Sequence, residues 1–450
     1  MERKYDIIII GTGTAGRTFA GKVVPSGLKI AIVDSREYGG TCPLRGCDPK
    51  EVLTDIAEVI DSNNRLIGKG VGINTPLKID WTSLIKFKRT FTEGYPANIE
   101  KHLADMGIDT YRGRAHFENQ NTIVVGEEKL KGKYVFLAVG AKPRELKIPG
   151  EDYMTTNEEL METEKLPEKV IFVGGGYISL EFAHVVRRTG AEVTVLHRSE
   201  RLLRQFDADM VDMLLKASEA AGIRILTDKP AVSVEKDDSG LVVKTGSKPG
   251  TSSETQVFHA GMVVHGVGRV PDIEDLQLEK AGVKIEKGAI AVDKHMRTSN
   301  PRIYAGGDCV SEGMQLTPVA ALQGEVAAAN ILNENSAEAD YTGVPSAIFT
   351  IPVLASVGIS AAKDSDKYKV IYQDRNNWNT TRRAGIEFAA SKVIIDEAND
   401  RIMGAHILGP NAGEAINIFT AVMRLGLKAS DMKKMVFSYP TTCSDIPYML

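Results

Sequence analysis

YDIIIIGTGTAG, residues 5–16, is the stretch from which the fold can be read. Tyr5 to Ile10 is a near-continuous β-branched run, the pattern of a strand buried on both faces. GTGTAG follows at once, with Gly11, Gly13 and Gly16, and Arg17 to Val24 can be helical. Strand, glycine turn and helix in this order bring bare backbone N–H groups and a helix N-terminus to a phosphate. The next strand, Lys29 to Val33, ends at Asp34, twenty-one residues after Gly13, where a ribose-binding carboxylate belongs in a dinucleotide fold. A glycine turn with no ligand is the bland alternative. The turn's place between strand and helix, with the acid at that distance, argues against it.

The same arrangement recurs. Val170 to Val173 reads as a strand, then GGGYIS with Gly174, Gly176 and Ser179, a helix through about Arg188, and a strand from Glu192 to Leu196. Two dinucleotide turns in one chain point to two cofactors. No carboxylate follows this second strand; HRSERLLR does, with Arg198, Arg201 and Arg204. An acid there would accept the 2′-hydroxyl of NAD, whereas arginines pair with the 2′-phosphate of NADP through charge-assisted bonds of about 1.5–3 kcal/mol each. NADPH is therefore preferred over NADH, against the plain reading of a solvated basic patch. Ser179 replaces the usual third glycine and is small enough for close helix packing.

Around these units the chain has 450 residues, room for about three domains with real cores. Its 43% hydrophobic and 25% charged residues lie far from the composition of disordered chains. Lys+Arg 55 against Asp+Glu 59 leaves a net charge of -4, so no bulk positive field is present to hold nucleic acid or anionic lipid. Four cysteines cannot be a secreted disulfide framework. No window has the ~18 apolar residues of a membrane span, and Ile7 to Ile10 is too short for a signal peptide. A soluble, cytoplasmic protein is expected.

Between the two turns lies a buried-strand reading, KYVFLAVG at Lys133 to Gly140, and later IYAGGD at Ile303 to Asp308. From about Pro345 the texture changes to strand-like runs, Lys392 to Ile395 and Ile402 to Leu408, and an apolar-periodic helix near Gly413 to Leu425. Linkers are expected near Pro149-Gly150 and from Asn333 to Thr342, and a hairpin loop over Asp237 to Thr255. The residues by themselves point to an α/β chain with two Rossmann-like dinucleotide-binding units and a separate C-terminal α/β domain.

GGTCPLRGCDPK places Cys42 and Cys47 directly after the first nucleotide-binding unit. Cys-x4-Cys is not a usual zinc spacing, and no second Cys or His pair accompanies it, so no metal site is assigned. If a helix starts near Cys47, its dipole lowers the thiol pKa and favours the thiolate needed for disulfide exchange. A redox dithiol follows.

With these motifs in order, and with LAVGAKP at Leu137 to Pro143, VGRVPD at Val267 to Asp272 and LTPVA at Leu316 to Ala320, the sequence resembles the class I pyridine nucleotide-disulfide oxidoreductases nearly end to end. The resemblance implies a homodimeric enzyme with FAD and NADPH, in which electrons pass from NADPH to FAD, to the Cys42/Cys47 disulfide, and on to a small-molecule disulfide substrate. It assigns the two Rossmann-like domains of the α/β fold to FAD, over 1–150 and 271–335, and to NADPH, over 151–270, and makes 336–450 a C-terminal α+β dimerisation domain. It makes Cys47 the thiolate beside the flavin and Cys42 the outer thiol. Lys50 and Glu181 match an ion pair near the flavin's reactive nitrogen, and Tyr177 matches the aromatic lid over the nicotinamide site. Asp308 matches the ribityl ligand, Asp34 the adenosine-ribose ligand, and Arg198 and Arg204 the 2′-phosphate arginines. The matched motifs add Gly11, Gly13, Gly16, Thr41, Gly140, Gly174, Gly176, Gly268, Thr317, Pro318 and Val319 to the cofactor-binding set.

The sequence departs from the family at its end. A His-Pro-Thr-x-x-Glu segment, the acid/base pair for the outer thiol, is replaced by Tyr439, Pro440, Thr441, Thr442, Cys443, Ser444, Asp445. A phenol with a pKa near 10 is a poor base but can donate a proton. Tyr439 is therefore expected in the acid role, helped by Asp445, or only lining the site. A second expectation is a mercuric reductase-like enzyme acting on a soft metal ion, with Cys443 as an extra ligand or merely filling space. A third is a redox-sensing flavoprotein with little turnover, and a fourth an electron transferase that ignores the disulfide. Glu325, after Gly324, stands where glutathione reductases carry an arginine, and its charge is expected to repel an acidic peptide. Cys309 is expected to be a core residue.

Overall fold

The computed structural model describes residues 2–238, 240–246, 255–360 and 367–450. The chain forms two compact units, Met1–Lys50 with Phe87–Arg144 and Gly268–Tyr341, and Glu51–Lys86 with Glu145–Val267 and Thr342–Leu450. Among the described residues no helix is long and apolar enough to cross a membrane.

The first unit is built on the opening strand, Glu2–Ile10, whose Ile7, Ile8 and Ile9 are fully buried. It pairs in parallel with Ile30–Asp34 on one side and with Glu128–Leu137 on the other. Asp109–Arg112 extends the sheet beyond Ile30–Asp34, and Ile303–Ala305 lies parallel to Glu128–Leu137. A sheet buried on both faces selects isoleucine and valine at successive positions, which is why this strand shows no alternation. Helix Thr14–Val23 covers one face and packs on Thr317–Leu332. Their approach is close because Gly324 lies under Ala15: a Cβ there would come within 2.5 Å of the Ala15 carbonyl oxygen.

In the second unit Lys169–Val173 is flanked in parallel by Glu192–Leu196 and Met262–His265, with Ile223–Leu226 and Thr155–Thr156 at the edges. A five-stranded antiparallel sheet, from Ser346–Ile348 through Val353–Gly358, Arg401–Gly409 and Ala390–Asp396 to Tyr368–Asp374, carries helix Ala412–Arg424. The strands and helix expected after Pro345 lie here. The span Asp237 to Thr255 is not simply a loop: Gly240–Thr245 is a strand between Ala231–Asp237 and Gln256–Ala260. Val242 and Val243 bury into the core there, which the Ser, Gly and Lys content around them concealed. Residues 239 and 247–254 lie outside the described residues.

Lys392 is a buried cation in this unit. Its ammonium donates to Asp207 at 2.9 Å and Asp209 at 2.7 Å, and Asp207 also caps helix Ala208–Ala220 by accepting from the Asp209 N–H. Removing Asp207 takes one partner from a buried charge and uncaps the helix. Asp207→Ala is expected to lower the unfolding free energy by about 3–5 kcal/mol, and adding Lys392→Met to recover a large part. Urea denaturation of the two variants checks this.

Candidate active site

The first glycine turn closes backbone against backbone. Gly11 has φ +109°, and a Cβ on it would meet the Ala138 carbonyl oxygen at 2.1 Å; one on Gly16 would meet the Gly11 carbonyl oxygen at 2.0 Å. The chain after Asp34 comes back onto this turn: a Cβ on Gly40, at φ +80°, would lie 2.4 Å from Gly13 Cα. Asp34 holds the turn. Its Oδ2 accepts from the Thr12 N–H at 2.8 Å and from the Thr12 hydroxyl, and its Oδ1 accepts from Arg36 N–H at 3.0 Å. The Thr12 hydroxyl also accepts from Gly39 N–H at 2.9 Å, so a residue passed over in the sequence ties the two turns together.

Gly40 leads directly into the dithiol. Thr41 opens helix Thr41–Arg45, Gly46 interrupts it, and Cys47 opens helix Cys47–Arg65. The two thiols are hydrogen-bonded to each other, and their acidities split. The bond donated by Cys42, then Thr317 at 3.5 Å and the charge of Lys50 one turn on, bring Cys47 down to about 6 against the opposing effect of burial. Its position at a helix N-terminus works in the same direction. Cys42 moves the other way, raised by the bond to Cys47 and by burial; Asp48 Oδ1, 3.6 Å from its sulfur, adds a negative charge that raises it further. In the reduced pair the charge rests on Cys47 and the proton on Cys42.

Thr317 opens helix Thr317–Leu332, where Pro318 lacks an N–H and Val319 is buried. Asp308 lies between Gly307 and the buried Cys309; burial raises its pKa, with Arg269 opposing, and its carboxylate has no hydrogen-bond partner among the described residues. A shielded carboxylate without protein donors suits the hydroxyls of a ribityl chain. With the glycine cradle and the helix N-terminus at Thr317, the residues of this unit fit FAD. Gly140 (φ +71°) and Gly268 (φ +103°) adjoin the paired strands Ala141–Pro143 and Arg269–Pro271, at backbone angles that favour glycine. Cys309 donates to the carbonyls of Leu137 and Gly306, and burial pushes it up to about 12. It is a core residue, as expected. Glu325 instead forms an exposed ion pair with Lys22 at 3.1 Å, so the expected repulsion of an acidic peptide loses its footing.

In the second unit Gly174, at φ +107°, approaches the Gly266 carbonyl as Gly11 approaches Ala138, with 2.2 Å left for a Cβ. Ser179 fills the place of the third glycine, and a Cβ on Gly266 would strike its hydroxyl at 1.8 Å. Gly176 caps helix Tyr177–Arg187, and Tyr177 is exposed at its start. Arg198, Arg201 and Arg204 are all exposed, and none makes an ion pair among the described residues. Three free guanidiniums behind a glycine turn fit the extra phosphate of NADPH. Glu181 is buried on the same helix and accepts from Phe349 N–H at 2.8 Å.

The C-terminal segment divides the expected roles. Tyr439 is 84% exposed. Asp445 is not free to assist it: its carboxylate is held by the Thr380 hydroxyl and, at 3.4 Å, by the guanidinium of Arg375, which is fully buried and has Trp378 beside it. Asp445 compensates that charge, a structural task the sequence did not disclose because Arg375 lies seventy residues earlier. Cys443 packs against the apolar core of this unit, and burial raises its pKa. Among the described residues no three His, Cys, Asp or Glu side chains gather as a metal site.

Known proteins resemble this chain over nearly its whole length. Residues 5–324 match the family described as pyridine nucleotide-disulphide oxidoreductase, and residues 344–449 match that family's dimerisation domain. Glutathione reductase of Burkholderia cepacia is 29% identical over 98% of this chain and 97% of its own. Mercuric reductase of Staphylococcus aureus is 31% identical over 97% of this chain and 80% of its own. Among solved structures, the Cu(II) complex of the HOCl-induced flavoprotein disulfide reductase RclA from Escherichia coli superposes with a TM-score of 0.88 at 25% identity, covering 99% of both chains.

Two outcomes are expected. Thiolate absorbance of the reduced protein titrates with a midpoint near 6; Cys42→Ala moves that midpoint up, and Thr317→Val moves it up by less. In thermal and urea unfolding, Asp445→Ala destabilises by about 3–5 kcal/mol through the unpaired Arg375, whereas Tyr439→Phe stays within about 0.5 kcal/mol.

Proposed function

The chain belongs to the pyridine nucleotide-disulphide oxidoreductase family, and on that footing we propose that it carries electrons from NADPH through FAD and the Cys42/Cys47 pair to a small-molecule disulfide. It is a flavoprotein disulfide reductase that uses FAD and NADPH. The FAD-binding part is drawn from 1–150 and 271–335, the NADPH-binding part from 151–270, and the interface of a homodimer from 336–450. The observation that carries the reading is the split acidity of the dithiol, with Cys47 near 6 beside Thr317 and Lys50 and Cys42 held protonated.

The first glycine turn, Asp34 and Asp308 would hold FAD, which would supply hydride acceptance from NADPH and two-electron delivery to the disulfide. Cys47 then stabilises the charge of the reduced pair as a thiolate, and Cys42 keeps the proton. For a substrate RSSR, Cys42 attacks one sulfur, its proton going with the leaving thiol, and a mixed disulfide forms. The Cys47 thiolate attacks Cys42, releases the second thiolate, which takes a proton from solvent or from Tyr439, and restores the disulfide. The sum is NADPH + H⁺ + RSSR giving NADP⁺ + 2 RSH. Lys50 and Glu181 keep the flavin-side roles implied by the resemblance, Tyr177 the lid, and Asp308, Asp34, Arg198 and Arg204 their cofactor contacts. A phenol cannot act as the base that a histidine provides in this family, so thiol oxidation, the reverse direction, is slow.

A second reading, reduction of a soft metal ion held by thiolates, is favoured by one observation. Tyr439 has no acid to orient it, since Asp445 is committed to Arg375. A metal ion needs no proton at the sulfur.

Anaerobic addition of one equivalent of NADPH is expected to produce a long-wavelength charge-transfer band with the flavin still oxidised, and Cys42→Ser to leave the enzyme unable to turn over a disulfide. Bleaching of the flavin without that band would sink the dithiol pathway. Steady NADPH oxidation with a disulfide panel, set against Hg(II) and Cu(II) presented as thiolate complexes, separates the two substrates. Initial rates with a disulfide should give parallel double-reciprocal lines.

A further inference from the structure

The segment that bears Tyr439 is knit within itself and anchored at both ends by one stretch of chain. The Thr441 hydroxyl donates to the Ser438 carbonyl at 2.7 Å. Thr441 and Ser444 exchange bonds, each backbone N–H donating to the other's hydroxyl, at 3.1 and 3.2 Å. Thr442 is buried and donates to the Pro410 carbonyl at 3.2 Å. At the far end Asp445 accepts from Thr380 and Arg375; at the near end the Arg383 guanidinium donates to the Pro440 carbonyl at 3.1 Å. Arg375, Thr380 and Arg383 all lie in or beside helix Asn379–Arg382.

The two anchors differ in what they do. Asp445 is committed to a buried cation, so its end of the segment belongs to the core. Arg383 is exposed, and among the described residues no carboxylate pairs with it. The carbonyl it holds belongs to the residue after Tyr439. A proline ring fixes φ at 440, so a hold on the carbonyl sets the remaining backbone torsion of that residue. With 84% of its surface open, Tyr439 is aimed by its backbone rather than by packing.

We propose that Arg383 is a positioning residue for Tyr439: by holding the Pro440 carbonyl it directs the phenol to the thiolate released from the substrate. In that step the phenol O–H bond breaks, an S–H bond forms on the departing sulfur, and the phenolate recovers a proton from solvent; no electrons move. The inference rests on the disulfide reading above, in which Tyr439 is a proton source. A bond that merely stabilised the fold would matter equally to every substrate. A positioning role matters only where the leaving sulfur needs a proton.

Single-turnover reoxidation of the FAD-loaded, two-electron-reduced protein, followed by decay of its charge-transfer band, tests this. The two oxidants are bis(2-hydroxyethyl) disulfide, whose thiolates are basic, and 4,4′-dithiodipyridine, whose leaving sulfur is a stable thiolate. Arg383→Met is expected to slow reaction with the first by about threefold to tenfold, as for one lost hydrogen bond, and to leave the second within about twofold. Arg383→Gln and Arg383→Lys, which can still donate to the carbonyl, recover part of the rate. In a Tyr439→Phe background Arg383→Met adds no further loss. Reduction by NADPH, read from growth of the same band, is unchanged in the Arg383 variants. Equal slowing with both disulfides overturns the proposal, as does a wild-type rate in Arg383→Met or a loss that persists in full beside Tyr439→Phe. If the wild type forms no charge-transfer band, or neither disulfide reoxidises it, the dithiol reading itself has failed and the role of Arg383 falls with it; a reactive wild type with unaffected variants isolates the failure to Arg383.

Discussion

The contact of Gly40 with Gly13 is the constraint on which the dithiol depends. The two glycine backbones pass so close that a Cβ on Gly40 would lie 2.4 Å from Gly13 Cα, and the Thr12 hydroxyl stitches them by bonding Asp34 and Gly39. This fixes where the helix at Thr41 begins, and the helix places Cys42 against Cys47 across the break at Gly46. A phosphate cradle and a redox pair are thereby built from one stretch of about forty residues. Any substitution that separates the glycines moves both.

Once the cysteines are adjacent, electrostatics sorts them. A reduced dithiol must place one proton and one negative charge. The bond between the two sulfurs lowers Cys47 and raises Cys42, and Lys50 and the helix N-terminus favour the charge on Cys47, while Thr317 lowers and Asp48 raises both. The asymmetry sets the order of events, with the outer sulfur protonated until a substrate arrives and the inner one ready to close the disulfide again. The family's usual proton shuttle is absent from the C-terminal segment, which gives this internal partition of charge more weight than it would otherwise have.

The two nucleotide-binding turns are one device with two electrostatic settings. Backbone geometry repeats from Gly11 at Ala138 to Gly174 at Gly266, and the clamp at the strand end repeats from Asp34 to His197.

Much of this was legible in the sequence because it depends on local demands. Left-handed backbone angles and close approach select glycine at 11, 40 and 174, burial on both faces selects the isoleucine run, and a fixed spacing places Asp34 after the first turn. The two nucleotide-binding units follow from those demands, and the cofactor set from the family resemblance they open. What the residue order could not reveal were partnerships between distant segments: Asp445 with Arg375, Glu325 with Lys22, the buried strand Gly240–Thr245 within a polar stretch, and the bond that His197 makes to Gly175. A carboxylate has the same identity whether it orients a catalytic group or neutralises a buried arginine. Only the folded chain decides which, because the cost of an uncompensated charge depends on what surrounds it.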